Sequence, residues 1–348
     1  MQEYETVFAC HKMLKDLFRL KTGETVAITC DSESSMELVE ATATAAHLLG
    51  GIPLILKQVA PRGCGKVGDP DMPIESLVGA IVNADVWIEY NHQWLLYSTV
   101  SDRVSSSPNR PRYICLAGAT PGVLIRNVGK VDFPTLIEFL KKVQEATYNG
   151  RHFELTTPAG TKLSFDNYPS RKVSCSDGEI FEPGVEKMLP GQIAWTPIVE
   201  SINGIMVADG SFSPPIGKLE NPVKMTIEKG VVTKIEGSGS DAKTMSDWFA
   251  SFNFPGMYQL AHISYGFGPY SILSGEITED ESVWGCTEWG FGNTPPLAGM
   301  PDGHPCPSHS DCICLNTSLW MDGVQVLDEG RVVGPTEEIV ALARKLGK

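Results

Sequence analysis

Apolar runs alternate with amphipathic stretches over the first 150 residues. Thr25–Cys30 is an almost unbroken apolar run, which is typical of a strand buried on both faces of a parallel sheet. The next stretch, Met36–Leu49, has helical periodicity and ends at a Gly-Gly pair. Further strands are predicted at 52–59, 85–90 and 112–116, and further helices at 73–83 and 132–146. This βαβα order predicts an open, mostly parallel α/β sheet domain over residues 1–150.

The pattern changes after Asn149-Gly150, where short strands follow one another with Gly and Pro turns. Segments 152–157 and 161–165 predict a hairpin, because two alternating runs flank a short Pro-Ala-Gly connection. Other strands are predicted at 205–208, 223–227 and 231–235, and helices at 241–252 and 335–346. We therefore expect a second domain over residues 151–348, a β-rich α+β unit, and an overall α/β fold class.

Composition and charge argue against some classes of function, such as nucleic-acid binding. The chain has 348 residues and a formal net charge of -14, with no basic stripe, which argues against a nucleic-acid partner. No apolar run reaches the roughly 18 residues that a membrane span needs. Nine scattered cysteines and an N-terminus without a basic leader favour a cytoplasmic location. Large acidic two-domain enzymes commonly self-associate, so we expect a homo-oligomer.

A metal site is the strongest chemical expectation. His309 and Asp311 are two positions apart in a segment that reads as a strand, so their side chains share a face. His262 lies in another predicted strand and would complete a set of two imidazoles and one carboxylate. Such a set leaves coordination positions open, as in non-heme Fe(II) oxygenases. The alternative is a pair of polar residues at a strand end together with one buried histidine.

Other residues are candidates for substrate binding and proton transfer. The aromatic and glycine-rich segment 284–296 is expected to form a loop whose Trp284, Trp289 or Phe291 stacks on a flat substrate, the alternative being ordinary core aromatics. Within it, Glu288 is a candidate for orienting a polar substrate group or supporting the metal. His92 and Tyr97 follow the third predicted strand and compete for the role of proton-transfer residue.

Three stretches together carry a family resemblance. The sequences AHISYGFGP (261–269), GCTEWGFGNTPPLAG (285–299) and HPCPSHSDCICL (304–315) resemble those of 2,5-dihydroxypyridine 5,6-dioxygenases. These are Fe(II) ring-cleaving enzymes whose fold is related to the aminopeptidase T-like metallopeptidases. The resemblance is strongest over residues 189–322 and includes 190–197, where Trp195 is a further candidate for substrate binding.

The resemblance implies a mononuclear rather than a dinuclear metal site. Positions that carry metal ligands in the peptidases correspond here to Gln192, His262, Glu288 and Pro295, and only the His309-Asp311 pair is retained. The dioxygenases also carry a catalytic histidine in an LLHS stretch. Here Leu95–Ser98 has Tyr97 at that place, with His92 five positions earlier.

These observations lead to one expectation and two alternatives. The first is an extradiol-type dioxygenase in which His262, His309 and Asp311 hold Fe(II), and which uses O2 and a hydroxylated N-heterocycle or related aromatic. The second is a metal-dependent hydrolase in which the same ligands activate water. The third is a non-catalytic relative that retains the fold.

Overall fold

The structure is a computed structural model that describes residues 2–169, 171–295 and 303–348. The chain divides into two compact units. Unit one comprises residues 1–131 and 178–190, and unit two comprises residues 132–177 and 191–348. Within the described ranges, no helix is long and apolar enough to cross a membrane.

The secondary structure alternates first between helices and strands and then runs mainly through strands. The α-helices of the described chain are α1 (Gln2–Lys12), α2 (Met36–Leu48), α3 (Ile74–Ile81), α4 (Thr99–Ser105), α5 (Pro121–Leu124), α6 (Phe133–Asn149), α7 (Asp241–Ser251), α8 (Ile277–Asp280) and α9 (Glu337–Lys345). The strands are β1 (Thr25–Cys30), β2 (Ile52–Lys57), β3 (Val86–Glu89), β4 (Arg112–Cys115), β5 (His152–Thr156), β6 (Lys162–Asp166), β7 (Ser174–Ser176), β8 (Glu186–Lys187), β9 (Gln192–Trp195), β10 (Asn203–Ala208), β11 (Ser211–Ser213), β12 (Gly217–Lys218), β13 (Val223–Glu228), β14 (Val231–Gly237), β15 (Leu260–Gly266), β16 (Thr287–Thr294), β17 (His304–Cys314), β18 (Ser318–Met321), β19 (Val324–Asp328) and β20 (Arg331–Val332).

Unit one is built on a parallel sheet with strand order β2-β1-β3-β4-β8. The central strands β1, β3 and β4 are almost wholly buried, in keeping with their largely apolar sequences, although Glu89 of β3 and Arg112 of β4 are buried charged residues. The chain leaves β1 towards β2 on one side and later returns to β3 on the other. The strand order therefore reverses between β1 and β3, and open α/β sheets commonly bind ligands outside the carboxyl ends of the strands at such a point.

Unit two contains two antiparallel sheets. One has the order β14-β13-β10-β6-β5-β18-β19-β20 and the other the order β12-β11-β17-β16-β15-β9-β7. Aromatic rings pack between elements of the two sheets: Phe165 of β6 contacts Trp289 of β16 edge-to-face, with ring centroids 5.7 Å apart. The candidate site lies on the second of these sheets.

The α/β fold class predicted from the sequence is confirmed, and the units differ from the expected boundary at residue 150 in two respects. Helix α6 groups with unit two, because Phe139 packs against Phe267 and Trp284 with centroids 5.1 and 5.3 Å away. Residues 178–190 return to unit one and add β8 to the edge of its sheet. A two-residue strand carries too little periodicity to be recognised in a sequence.

Candidate metal centre

The three predicted ligands come from neighbouring strands of unit two. In the antiparallel register, His262 of β15 lies opposite Gly290 of β16, and Gly290 lies opposite Asp311 of β17. His309 precedes Asp311 by two residues and therefore lies on the same face of the sheet. Strand pairing thus places on one face three side chains that are distant along the chain.

The donor atoms of these residues form a compact cluster. Nε2 of His309 is 3.0 Å from Oδ1 of Asp311, and Nε2 of His262 is 3.7 Å from the same oxygen. The two imidazole rings are nearly parallel, with centroids 5.2 Å apart and an interplanar angle of 6°. One donor atom from each residue lies within 4.8 Å of the other two. A single ion between them would be within reach of all three.

The orientation of His309 is set by its other ring nitrogen. Nδ1 donates a hydrogen bond to the main-chain oxygen of Asn293 at 2.8 Å. Because a carbonyl oxygen only accepts, Nδ1 carries the proton and Nε2 is the nitrogen that faces the cluster. Metal-binding histidines are commonly held in this way, with one nitrogen on the ion and the other on a main-chain acceptor.

Gly290 makes room for both rings. A Cβ at this position would lie 2.3 Å from Cε1 and 2.4 Å from Nδ1 of His262, and 2.9 Å from Cε1 of His309. Such distances are well inside van der Waals contact, so the imidazoles occupy their observed positions only because residue 290 has no side chain. The glycine was not singled out from the sequence, although a glycine inside a strand is a signal of close approach.

A second carboxylate adjoins the cluster. Glu288 is fully buried, and its Oε1 is 3.0 Å from Nε2 of His262. Burial raises the pKa of Glu288 and of Asp311 above their ordinary values. Buried carboxyl groups concentrated in one place favour the binding of a cation, because a cation offsets the cost of burying their charge.

The pKa values of the two imidazoles are shifted in opposite directions. Burial, together with the charge of His309, lowers the pKa of His262 to about 4. His262 is therefore neutral at neutral pH, which is the form that binds metals. For His309, burial lowers the pKa but the Asp311 carboxylate more than compensates, and the net pKa is raised. Two nitrogen donors and one carboxylate on one side of an ion match the facial set used by non-heme iron oxygenases. The residues present thus fit a divalent transition metal.

Comparison with known proteins agrees with this donor set. A model of the NicX family, described as 2,5-dihydroxypyridine 5,6-dioxygenase, matches residues 6–334. The chain belongs to this family. A 2,5-dihydroxypyridine 5,6-dioxygenase of Pseudomonas putida KT2440 is 25% identical over 261 residues, which are 70% of each chain.

Two solved structures share the fold of this family member. The structure of 2,5-dihydroxypyridine dioxygenase from Pseudomonas putida KT2440 has a TM-score of 0.78 at 20% identity, covering 98% of this chain and 99% of that one. Wild-type AmpT from Thermus thermophilus has a TM-score of 0.69 at 12% identity, covering 96% and 100%. The predicted family and its relation to the aminopeptidase T fold are both confirmed. Membership of the NicX family makes the chain an oxidoreductase of the ring-cleaving dioxygenase class.

Two predicted substrate-binding residues lie away from the metal face of this NicX-family chain. Trp289 is opposite Ile263 and Cys312 in the strand register, and Trp195 is opposite Ile263 on the other side. Both therefore point to the face opposite His262, where Trp195 and Trp289 pack against Phe165. Most of the segment expected to be a loop, residues 287–294, forms the buried strand β16, and residue 296 lies outside the described residues. This packing is that of ordinary core aromatics and corrects the stacking role expected for Trp289. Because successive side chains of a strand point to opposite faces, Trp289 points away from the face that carries Glu288.

The two proton-transfer candidates lie in unit one. His92 is exposed, and its Nε2 is 3.9 Å from Oε2 of Glu33. Tyr97 is half-buried and has a φ of 65°. They flank a short loop after β3, at the carboxyl edge of the parallel sheet, as the sequence predicted. Their assignment as proton-transfer residues stays a prediction.

Proposed function

We propose that this chain is an Fe(II)-dependent extradiol-type dioxygenase that opens the ring of 2,5-dihydroxypyridine or a related hydroxylated aromatic. The observation that carries the proposal is the cluster of His262, His309 and Asp311, whose donor atoms converge in a member of a ring-cleaving family. Nothing in this donor set resembles a nucleophile–base pair, so the chemistry depends on what the ion supplies.

Each candidate residue has a distinct part in the proposal. His262, His309 and Asp311 would hold the ion on one side, leaving positions for the substrate and O2. When bound, Fe(II) would supply the redox chemistry that O2 needs in order to react with an aromatic ring. Glu288, whose carboxylate lies beside His262, would support the bound ion or contact a polar group of the substrate. His92 or Tyr97 would accept the proton of a ring hydroxyl, a contribution of about 10²–10⁴-fold to the rate.

The test combines iron loading with oxygen uptake. Protein prepared without oxygen is loaded with Fe(II), and O2 consumption is measured against dihydroxylated pyridines and their nitrogen-free analogues. We expect one O2 consumed for each ring opened, with both labelled oxygen atoms of 18O2 found in the product. Equal substrate loss in the absence of O2, with activity retained when zinc replaces iron, would instead identify a metal-dependent hydrolase.

The cellular location and the assembly state are also part of the proposal. All nine cysteines lie within the described part of the chain and none forms a disulfide, which supports a reducing cytoplasm. We also propose that the chain forms a homo-oligomer, as large acidic enzymes commonly do. Light scattering coupled to size exclusion measures the assembly directly, and a mass of 37.8 kDa would contradict oligomerisation.

A further inference from the structure

A buried carboxyl group in unit one holds the loop that carries the two proton-transfer candidates. Glu89 is the last residue of β3 and is fully buried. Its Oε1 accepts a hydrogen bond of 2.6 Å from the main-chain nitrogen of Leu95. The other oxygen is hydrogen-bonded to the hydroxyl of Tyr113, on the neighbouring strand β4. One side chain thus links the body of the sheet to the loop formed by residues 92–97.

Other contacts hold the same loop from different directions. Asp31, the first residue after β1, accepts a hydrogen bond of 3.0 Å from the main-chain nitrogen of Gln93. The main-chain nitrogen of Ser98 donates to the oxygen of Leu95 at 3.0 Å, and the Ser98 hydroxyl caps α4. The loop is therefore held at its beginning, centre and end.

The backbone of Tyr97 shows why this support matters. Its φ of 65° places a bulky side chain in the left-handed region, which is unfavourable for a residue other than glycine. Such a conformation persists only where the surroundings determine it. Leu95, two residues earlier, is held by Glu89, and the Tyr97 backbone also packs on Gly65, where a Cβ would lie 3.5 Å from the Tyr97 oxygen.

We propose that Glu89 is a positioning residue that fixes the loop 92–97, and with it the direction of the Tyr97 side chain, by binding the Leu95 main-chain nitrogen. The loop follows the carboxyl end of β3, beside that of β1, where open α/β sheets commonly bind ligands, so its conformation determines what this edge of the sheet presents. The effect on catalysis rests on the proposed function, whereas the effect on loop conformation does not.

A conservative and a disruptive variant separate positioning from simple stability. Glu89→Gln keeps an acceptor for Leu95 and offers a donor to Tyr113, so the loop should remain fixed. Glu89→Leu fills a similar volume but leaves the Leu95 N–H buried without an acceptor. Tyr113→Phe is the matched control, because it removes the other partner of Glu89 and leaves the loop contact in place.

The first readout is amide hydrogen exchange in the iron-loaded full-length protein. We expect exchange at residues 93–97 to become at least about 10-fold faster in Glu89→Leu. Exchange in β1 and β3 should stay unchanged, and Glu89→Gln and Tyr113→Phe should resemble the wild type. Unchanged protection of the loop in a folded Glu89→Leu protein would overturn the proposal. Equal loss of protection across β1, β3 and the loop would also overturn it, because that result indicates a purely structural role.

The second readout is steady-state kinetics with 2,5-dihydroxypyridine. A displacement of about 1 Å in a positioned group costs on the order of 100-fold in rate, so kcat should fall by about that factor in Glu89→Leu. Iron content should not change, and Glu89→Gln should restore turnover. Wild-type turnover in Glu89→Leu would contradict the positioning role. Absence of oxygen-dependent turnover in the wild type would instead contradict the proposed function, while the exchange result would still decide the role of Glu89.

Discussion

The substitution Gly290→Ala tests the geometry of the metal centre by adding one methyl group between the two imidazoles. The added Cβ would lie 2.3 Å from Cε1 of His262, whereas carbon atoms in contact are about 3.5–4.0 Å apart. The His262 ring must therefore move by more than about 1 Å. Metal–ligand distances tolerate only about 0.2 Å, so the movement removes one of the three ligands. We expect the affinity for Fe(II) to fall on the order of 100-fold or more, the upper end of losses seen when the support of a single ligand is removed.

The assay is an anaerobic titration of Fe(II) against a competing chelator, with thermal unfolding of the metal-free protein measured in parallel. Overpacking is expected to destabilise the fold by about 1–3 kcal/mol, which leaves the protein folded for the titration. Gly79→Ala is the control, because a Cβ at that position of α3 meets no atom within 4 Å. Wild-type iron affinity in a folded Gly290→Ala protein would refute the argument that His262 and His309 act together around one ion.

Four further predictions address single groups. His309→Ala should abolish both iron binding and oxygen uptake, and retention of stoichiometric iron would exclude His309 as a ligand. Glu288→Gln should weaken Fe(II) binding by about 10–100-fold in the chelator titration, because a buried carboxylate 3.0 Å from His262 is replaced by a neutral amide. His92→Ala and Tyr97→Phe should both retain iron. The variant that loses turnover while still binding substrate identifies the proton-transfer residue, and normal turnover in both variants would show that neither residue transfers the proton. Burial raises the pKa of Glu89 from 4.5 to about 7, so the folded state keeps a proton that the unfolded chain has lost. The free energy of unfolding should then fall by about 3 kcal/mol as the pH rises from 4.5 to 7. Denaturant titrations should show this fall in the wild type and not in Glu89→Gln, and the same dependence of unfolding free energy on pH in both proteins would contradict it.

Much of the fold was predictable because hydrophobic periodicity is a local signal. Strand β1 and helices α2 and α6 lie within a few residues of their predicted bounds, and so does the hairpin of β5 and β6. The His309-Asp311 pair was recognisable because two residues of one strand share a face whatever the tertiary structure. The convergence of His262 with them depends on strand pairing, so the sequence could offer His262 only as a chemically suitable third ligand, an expectation that the family resemblance supported.

The remaining features depend on register and packing, which one sequence does not encode locally. Whether Trp289 or Glu288 faces the metal follows from the pairing of β16 with both of its neighbours, and both choices agree with the alternating pattern. The main-chain oxygen of Asn293 carries no side-chain signal, although it orients His309. The roles of Glu89 and Gly290 likewise emerge only when the main-chain and ring atoms around them are located.

The most direct test of the central claim is anomalous diffraction at the iron absorption edge from crystals of protein loaded with Fe(II) without oxygen. The account predicts one strong anomalous peak for each chain, within bonding distance of Nε2 of His262, Nε2 of His309 and a carboxylate oxygen of Asp311. A peak elsewhere, or a peak that contacts only His309 and Asp311 with His262 turned away, would contradict it.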